Sequence, residues 1–135
     1  MTAPRAKRER VLVDGMNVIG SRPDGWWRDR EGAIQRLLAR LQRLAEDAGT
    51  DLTLVLDGRP LDDLPEGTHG GVRVAYARRG GRDAADARIV ELVANDADPR
   101  SVRVVTSDRK LADDVRALGA TTQGAGAFLA QLDRC

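Results

Sequence analysis

The chain has 135 residues, 41% hydrophobic and 32% charged, which fits one soluble globular domain with a single core and excludes wholesale disorder. Basic and acidic residues number 22 and 21, a net charge of +1, so a general polycationic coat for nucleic acid is excluded while a local patch is not. The aromatic share is 3% (Trp26, Trp27, Tyr76 and Phe128), too little for an aromatic base-stacking sheet.

Residues 1–9 read as a basic tail ahead of a domain that spans 10–135. The apolar run behind that tail, Val11-Leu12-Val13, is too short for a signal peptide or a membrane span. All basic residues except Lys7 and Lys110 are arginines, whose planar fork suits phosphate. Cys135 is the only cysteine, which excludes internal disulfides and cysteine metal clusters and fits a reducing cytoplasm.

Val11–Val13 is a β-branched run that stops at Asp14. An amphipathic helix follows, with Ile34, Leu37, Leu38, Leu41, Leu44 and Ala45 at helical spacing and Arg36, Arg40 and Arg43 on other faces. Trp26 and Trp27 are expected to cover its apolar side. Leu52–Leu56 is the second strand and stops at Asp57. Gly58–Gly71, rich in Pro, Gly and Asp, shows no period and reads as an irregular connection, with His69 facing solvent. Val72–Tyr76 alternates and reads as a more exposed third strand. A helix is expected from about Arg82 to about Asn95, then a fourth strand over Val102–Thr106. Ser107 is the expected N-cap of the next helix and Gly119 its stop. Ala120–Thr122 reads as a weak fifth strand, and Ala125–Leu132 as a last short helix. Apolar strands alternating with helices give an α/β fold, a mostly parallel sheet of four to five strands between two helical layers.

Asp14, Asp57 and Asp108 each fall at or just after the C-terminal end of a predicted strand. In a parallel sheet those ends share one rim, where open α/β folds place their sites. If the first strand lies between the second and the fourth, the three carboxylates converge, for neighbouring strands are about 4.8 Å apart. Their mutual repulsion is relieved by a divalent cation. The helix after the third strand adds Asp86, which flanks the sheet, and Asp83, which points more to solvent, so Asp86 is favoured as the fourth carboxylate. Oxygen donors alone suit Mg²⁺ or Mn²⁺, and a single histidine cannot build a zinc triad. Such ions activate water for phosphoryl transfer. A basic loop with Arg78, Arg79 and Arg82, together with Arg109 and Lys110 beside Asp108, would border this acidic centre, and the two together read as phosphodiester chemistry on a polyanion such as RNA.

Val11-Leu12-Val13-Asp14-Gly15-Met16-Asn17-Val18-Ile19-Gly20 resembles the opening motif of NYN domains, close to the YacP-like branch of the PIN-like ribonuclease superfamily. Gly70–Val74, Ala85–Ile89 and Val104–Asp108 are similar to further stretches of that family, in the same order. The resemblance implies a three-layer α/β/α PIN-like domain with strand order 3-2-1-4-5 and a metal-dependent endoribonuclease activity. It implies Asp14, Asp57, Asp86 and Asp108 as metal-site carboxylates, Asn17 supporting the first and Thr106 or Ser107 the last. Met16 stands where the family usually has an aromatic residue. So short a basic border implies a partner that positions the RNA, the ribosome or another protein.

Other readings are open. Aspartate after a strand is ordinary turn or cap chemistry, and a PIN-like module could bind RNA or a protein without cutting. A phospho-acceptor receiver domain could cast Asp57, Thr106 and Lys110 in its roles, although such domains end their first strand in paired acids. No GxGxxG follows the first strand, and the lone His69 rules out a hydrolase triad.

Overall fold

The computed structural model describes residues 9–77 and 84–134. The chain runs β1 (Arg10–Asp14), α1 (Gly15–Gly20), a 3₁₀ turn (Trp26–Arg28), α2 (Arg30–Ala48), β2 (Asp51–Leu56), β3 (Gly67–His69) and β4 (Val72–Tyr76). It continues through α3 (Ala84–Ala94), a second 3₁₀ turn (Pro99–Ser101), β5 (Val102–Val105), α4 (Arg109–Ala117), β6 (Thr121–Gln123) and α5 (Ala125–Asp133). The sheet order is β3-β4-β2-β1-β5-β6. Every pairing is parallel except β3 with β4. The expected order of five strands is preserved inside it, and the sheet has six strands rather than four or five.

The extra strand arises from the Gly58–Gly71 segment, which is not wholly irregular. His69 and Val72 pair across a two-residue turn in which Gly70 and Gly71 both have positive φ, 56° and 85°. That is the turn geometry whose twist suits a hairpin, and it favours glycine at both positions. The rest of the connection is tied to β4: the Tyr76 hydroxyl donates to the Leu64 carbonyl at 2.7 Å and accepts from Leu61 N–H at 3.2 Å. The hairpin also explains why β4 is buried at every residue but Arg73, against the expectation of an exposed strand. His69 is half-buried, its Nε2 lying 2.6 Å from the Pro65 carbonyl oxygen.

Strand alternation sorts the core into two layers. Val11, Val13, Leu52, Leu54, Leu56 and Val105 pack under α1, α2 and α5, where Phe128, Ile34 and Leu41 are fully enclosed. Leu12, Val55, Val102 and Val104 face α3 and α4, with Ile89, Val93, Leu111 and Val115. Asp14 follows Leu12 at the strand period of two, so it belongs to the α3–α4 side. Trp26 packs against the first layer as expected, but Trp27 does not and is 57% exposed.

The short α1 carries no apolar period readable in the sequence. Its first residue, Gly15, is set so close to β2 that an added Cβ would lie 2.8 Å from Leu56 Cδ2 and 3.0 Å from the Val55 carbonyl oxygen. No helix among the described residues is long and apolar enough to cross a membrane. The basic tail and Cys135 lie outside the described residues, apart from Glu9.

Candidate active site at the carboxylate rim

Asp14 closes β1 and is 5% exposed. Its neighbours in register are Val55 on β2 and, one residue past the last β5 pair, Thr106. Thr106 is itself buried, and its hydroxyl donates to Asp14 Oδ2 at 2.9 Å. The same hydroxyl oxygen accepts from Asp108 N–H at 3.1 Å. One threonine therefore joins the carboxylate that ends β1 to the residue that starts α4.

Asp108, not Ser107, is the N-cap of α4: its Oδ1 accepts from Leu111 N–H at 3.0 Å. Ser107 serves another helix, its Oγ accepting from Ala125 N–H at the start of α5. The β5–α4 turn is held from the far side by Asn17, whose Oδ1 accepts from Ser107 N–H at 2.8 Å. Asn17 thus braces the segment that leads to Asp108, and Thr106 braces Asp14. The α1 turn after Asp14 and the turn before Asp108 are joined by that one side chain to backbone bond.

Burial is the main force that pushes the Asp14 carboxyl up, from 3.8 to about 6. The Thr106 hydroxyl works against it, and the negative charges of Asp86, Asp108 and Asp57 add to it, in that order. Asp86 lies in the first turn of α3. Its effect on Asp14 exceeds that of the two strand-end carboxylates. Asp83, the alternative, lies outside the described residues, as do Arg78, Arg79 and Arg82.

Asp57 follows β2 and is engaged by a residue from the other face of the sheet. Arg30, the first residue of α2, donates to Asp57 Oδ1 at 2.8 Å and to the Asp57 carbonyl at 3.0 Å. Sequence reading missed this grip; its only trace is an arginine placed just after Asp29, which caps the helix by accepting from Gly32 N–H. Arg109 and Lys110 are exposed in the first turn of α4, beside Asp108. Lys110, 87% exposed, reaches Asp114 on its own helix, and Thr106 is spent on two aspartates, an arrangement unlike a phospho-acceptor site.

The carboxylates share a rim without forming a closed ligand set. Among the described residues no group of three or more acidic, histidine or cysteine side chains is drawn together to hold an ion. The donor chemistry nonetheless fits a hard divalent cation: all donors are carboxylate oxygens, and the buried Asp14 carries a like-charge and desolvation cost that such a cation would cancel. A separate cleft of about 440 Å³ opens toward the start of β1 and β2. Within it Arg10 pairs with Asp96 and Arg88 with Glu66.

Comparison with known proteins bears on the family and the fold. Residues 11–135 match the family model of the YacP-like NYN domain. No curated protein matches the chain. In fold it is similar to Rae1 (YacP) from Bacillus subtilis. A point mutant of that protein gives a TM-score of 0.75 at 24% identity, covering 93% of this chain and 76% of that one. Another crystal structure of Rae1 gives 0.69 at 24% identity, with 92% and 73% covered. The family match over residues 11–135, on a fold similar to that relative's, means that this chain belongs to the YacP-like NYN domain family.

Proposed function

We propose that this domain is a Mg²⁺- or Mn²⁺-dependent endoribonuclease that hydrolyses RNA phosphodiester bonds at the carboxylate rim. The observation that carries the reading is Asp14: a buried carboxylate at the C-terminal rim of a parallel sheet, facing the charges of Asp86, Asp108 and Asp57, in a YacP-like NYN domain. Membership of a PIN-like nuclease family makes RNA the substrate class in this reading.

Asp14, with Asp57, Asp86 and Asp108, would hold the cation. When bound, it polarises a phosphate oxygen, activates a water and offsets charge that builds on the phosphoryl group. Asp14 acts in a desolvated setting, where its charge is screened least. Thr106 fixes its rotamer through Oδ2, and Asn17 fixes the turn that carries Asp108. Arg30 sets the orientation of Asp57 and limits how much negative charge the rim presents. Arg109 and Lys110 offer positive charge to the phosphates on either side of the scissile bond. A partner that positions the RNA, the ribosome or another protein, would compensate for this short basic border.

The test is cleavage of a structured and an unstructured RNA by purified protein with Mn²⁺, Mg²⁺ or EDTA, alongside Asp14→Asn and Asp108→Asn. Metal-dependent cutting that both substitutions abolish is expected. A non-catalytic binding module is the second reading, favoured by the hold of Arg30 on Asp57 and by the open carboxylate set. RNA binding without any cutting, and without any cation binding by calorimetry, would establish it instead.

A further inference from the structure

Arg30 holds Asp57 with a single nitrogen. Its Nη2 donates both to Asp57 Oδ1 at 2.8 Å and to the Asp57 carbonyl at 3.0 Å. A guanidinium carries five N–H donors in a planar fork, and here Nε and Nη1 make no hydrogen bond with any described residue. Asp57 is also the one acid in salt-bridge contact with Arg30 among the described residues. Arg10, at the far end of β1, shows the contrast: its Nε and Nη2 grip both oxygens of Asp96, and Nη2 also reaches the Asp98 carbonyl.

The Arg30 side chain is fixed at its base and open at its tip. It is the first residue of α2, whose N-cap is Asp29 and whose Ala33, Ile34 and Leu37 are buried. The side chain is nonetheless 35% exposed. Gly58 follows Asp57 with φ of 80°, and a Cβ there would lie 3.6 Å from Nη2, so no side chain covers the guanidinium from that side.

Contact sets its place on the rim. Arg30 touches Asp57, whose charge acts on Asp14. In the sheet order β2-β1-β5, Arg30 stands at the β2 end of the carboxylates, and Arg109 and Lys110 follow Asp108 at the β5 end. Carboxylates alone repel an RNA backbone, and planar N–H donors match phosphate oxygens. An ion pair this exposed is weak, so a phosphate can share the guanidinium without disturbing the fold.

We infer that Arg30 is a phosphate ligand for the RNA, taking a backbone phosphate through Nε and Nη1 on the β2 side of Asp14. The inference rests on the ribonuclease reading and gives the substrate a track across the rim, from Arg30 past Asp14 to Arg109 and Lys110.

A labelled single-stranded RNA of about ten nucleotides, titrated in EDTA over a range of salt, reads binding without cutting. One phosphate contact on a single strand contributes about 0.7 to the slope of log affinity against log salt. Arg30→Gln should therefore weaken binding about fivefold at about 0.1 M salt and lower that slope by about 0.7. Arg30→Lys, which keeps the charge, should keep the slope. The affinity of Arg30→Gln for Mn²⁺ alone, read by calorimetry, should not fall. A fall there would make Arg30 a brace of the rim and overturn the inference, as would no RNA binding by wild type. Mn²⁺-dependent cutting by wild type with an unchanged salt slope in Arg30→Gln removes the phosphate ligand and leaves the nuclease. A slope that depends on Arg30 with no cutting removes the nuclease and leaves the phosphate ligand.

Discussion

The Thr106 hydroxyl stands between Asp14 and Asp108, donating to the carboxylate of the first and accepting from the backbone N–H of the second. All three atoms belong to segments that leave the sheet at adjacent strands, so this hydroxyl is a cross-brace for the rim. Thr106→Val keeps the shape and removes both bonds, leaving a buried carboxylate and an N–H without their partner. We expect a loss of about 1–3 kcal/mol in urea unfolding and a marked fall in cleavage. Thr106→Ser should restore most of both.

Asp14 makes stability depend on pH in a direction opposite to that of a salt-bridged aspartate. Burial raises its folded carboxyl to about 6, above the 3.8 of the unfolded chain, so the folded state binds the extra proton. The protonated form favours folding below 3.8, and that advantage is lost as the pH rises through about 6. Asp14→Asn keeps the Thr106 bond without the charge. In EDTA it should be more stable than wild type by about 1–3 kcal/mol at pH near 7.5, with the gap closing near pH 4. Urea unfolding of the two proteins across that range checks this, because their remaining titrations cancel.

The cation should close or reverse that gap. An ion that binds only the folded state, at a hundred times its Kd, stabilises by about 2.7 kcal/mol. Mn²⁺ or Mg²⁺ should therefore raise the Tm of wild type, EDTA should abolish the rise, and Asp14→Asn should lack it. An equal shift in both proteins would place the ion elsewhere.

Arg30 and Asp57 give a sharper test of how the rim is charged. The pair is more than a third exposed on both sides, so its loss should cost less than about 1 kcal/mol of stability. Arg30→Gln removes the guanidinium that neutralises Asp57. Calorimetric affinity for Mn²⁺ should rise severalfold if Asp57 serves the cation, and stay unchanged if it is a turn residue held by α2.

What could be read from the sequence follows from physical range. Val11–Val13, Leu52–Leu56 and, apart from Arg103, Val102–Val105 are β-branched or apolar runs that stop at or shortly before an aspartate, so the parallel strands and the rim are legible locally. The neighbour order, which decides whether the aspartates meet, came from the family resemblance and agrees with the pairing of β1 with β2 and β5. The hairpin strand Gly67–His69 has no apolar residue, and only Gly70-Gly71 betrayed it. Arg30 meets Asp57 across 27 residues and the width of the sheet, which no local pattern encodes. Trp27 shares its neighbour's chemistry, and only the turn decides which indole is buried.

Gly15 ties the fold to the chemistry at the residue next to Asp14. An added Cβ would lie 2.8 Å from Leu56 Cδ2, 2.9 Å from Leu54 Cδ1 and 3.0 Å from the Val55 carbonyl oxygen. The leucine side chains are enclosed in the core, and the carbonyl belongs to a central strand, so none yields cheaply. Gly15→Ala should push α1 away from β2, at a cost of about 1–3 kcal/mol. Because α1 carries Asn17, that displacement also loosens the Ser107 turn and with it Asp108. Cleavage should therefore fall further than the stability loss explains, at a temperature where the variant is still fully folded. Asn17→Ala, which cuts the same brace without touching the packing, should reproduce the activity loss while unfolding close to wild type. If Gly15→Ala cleaves normally when folded, the α1 brace is not what aligns the rim.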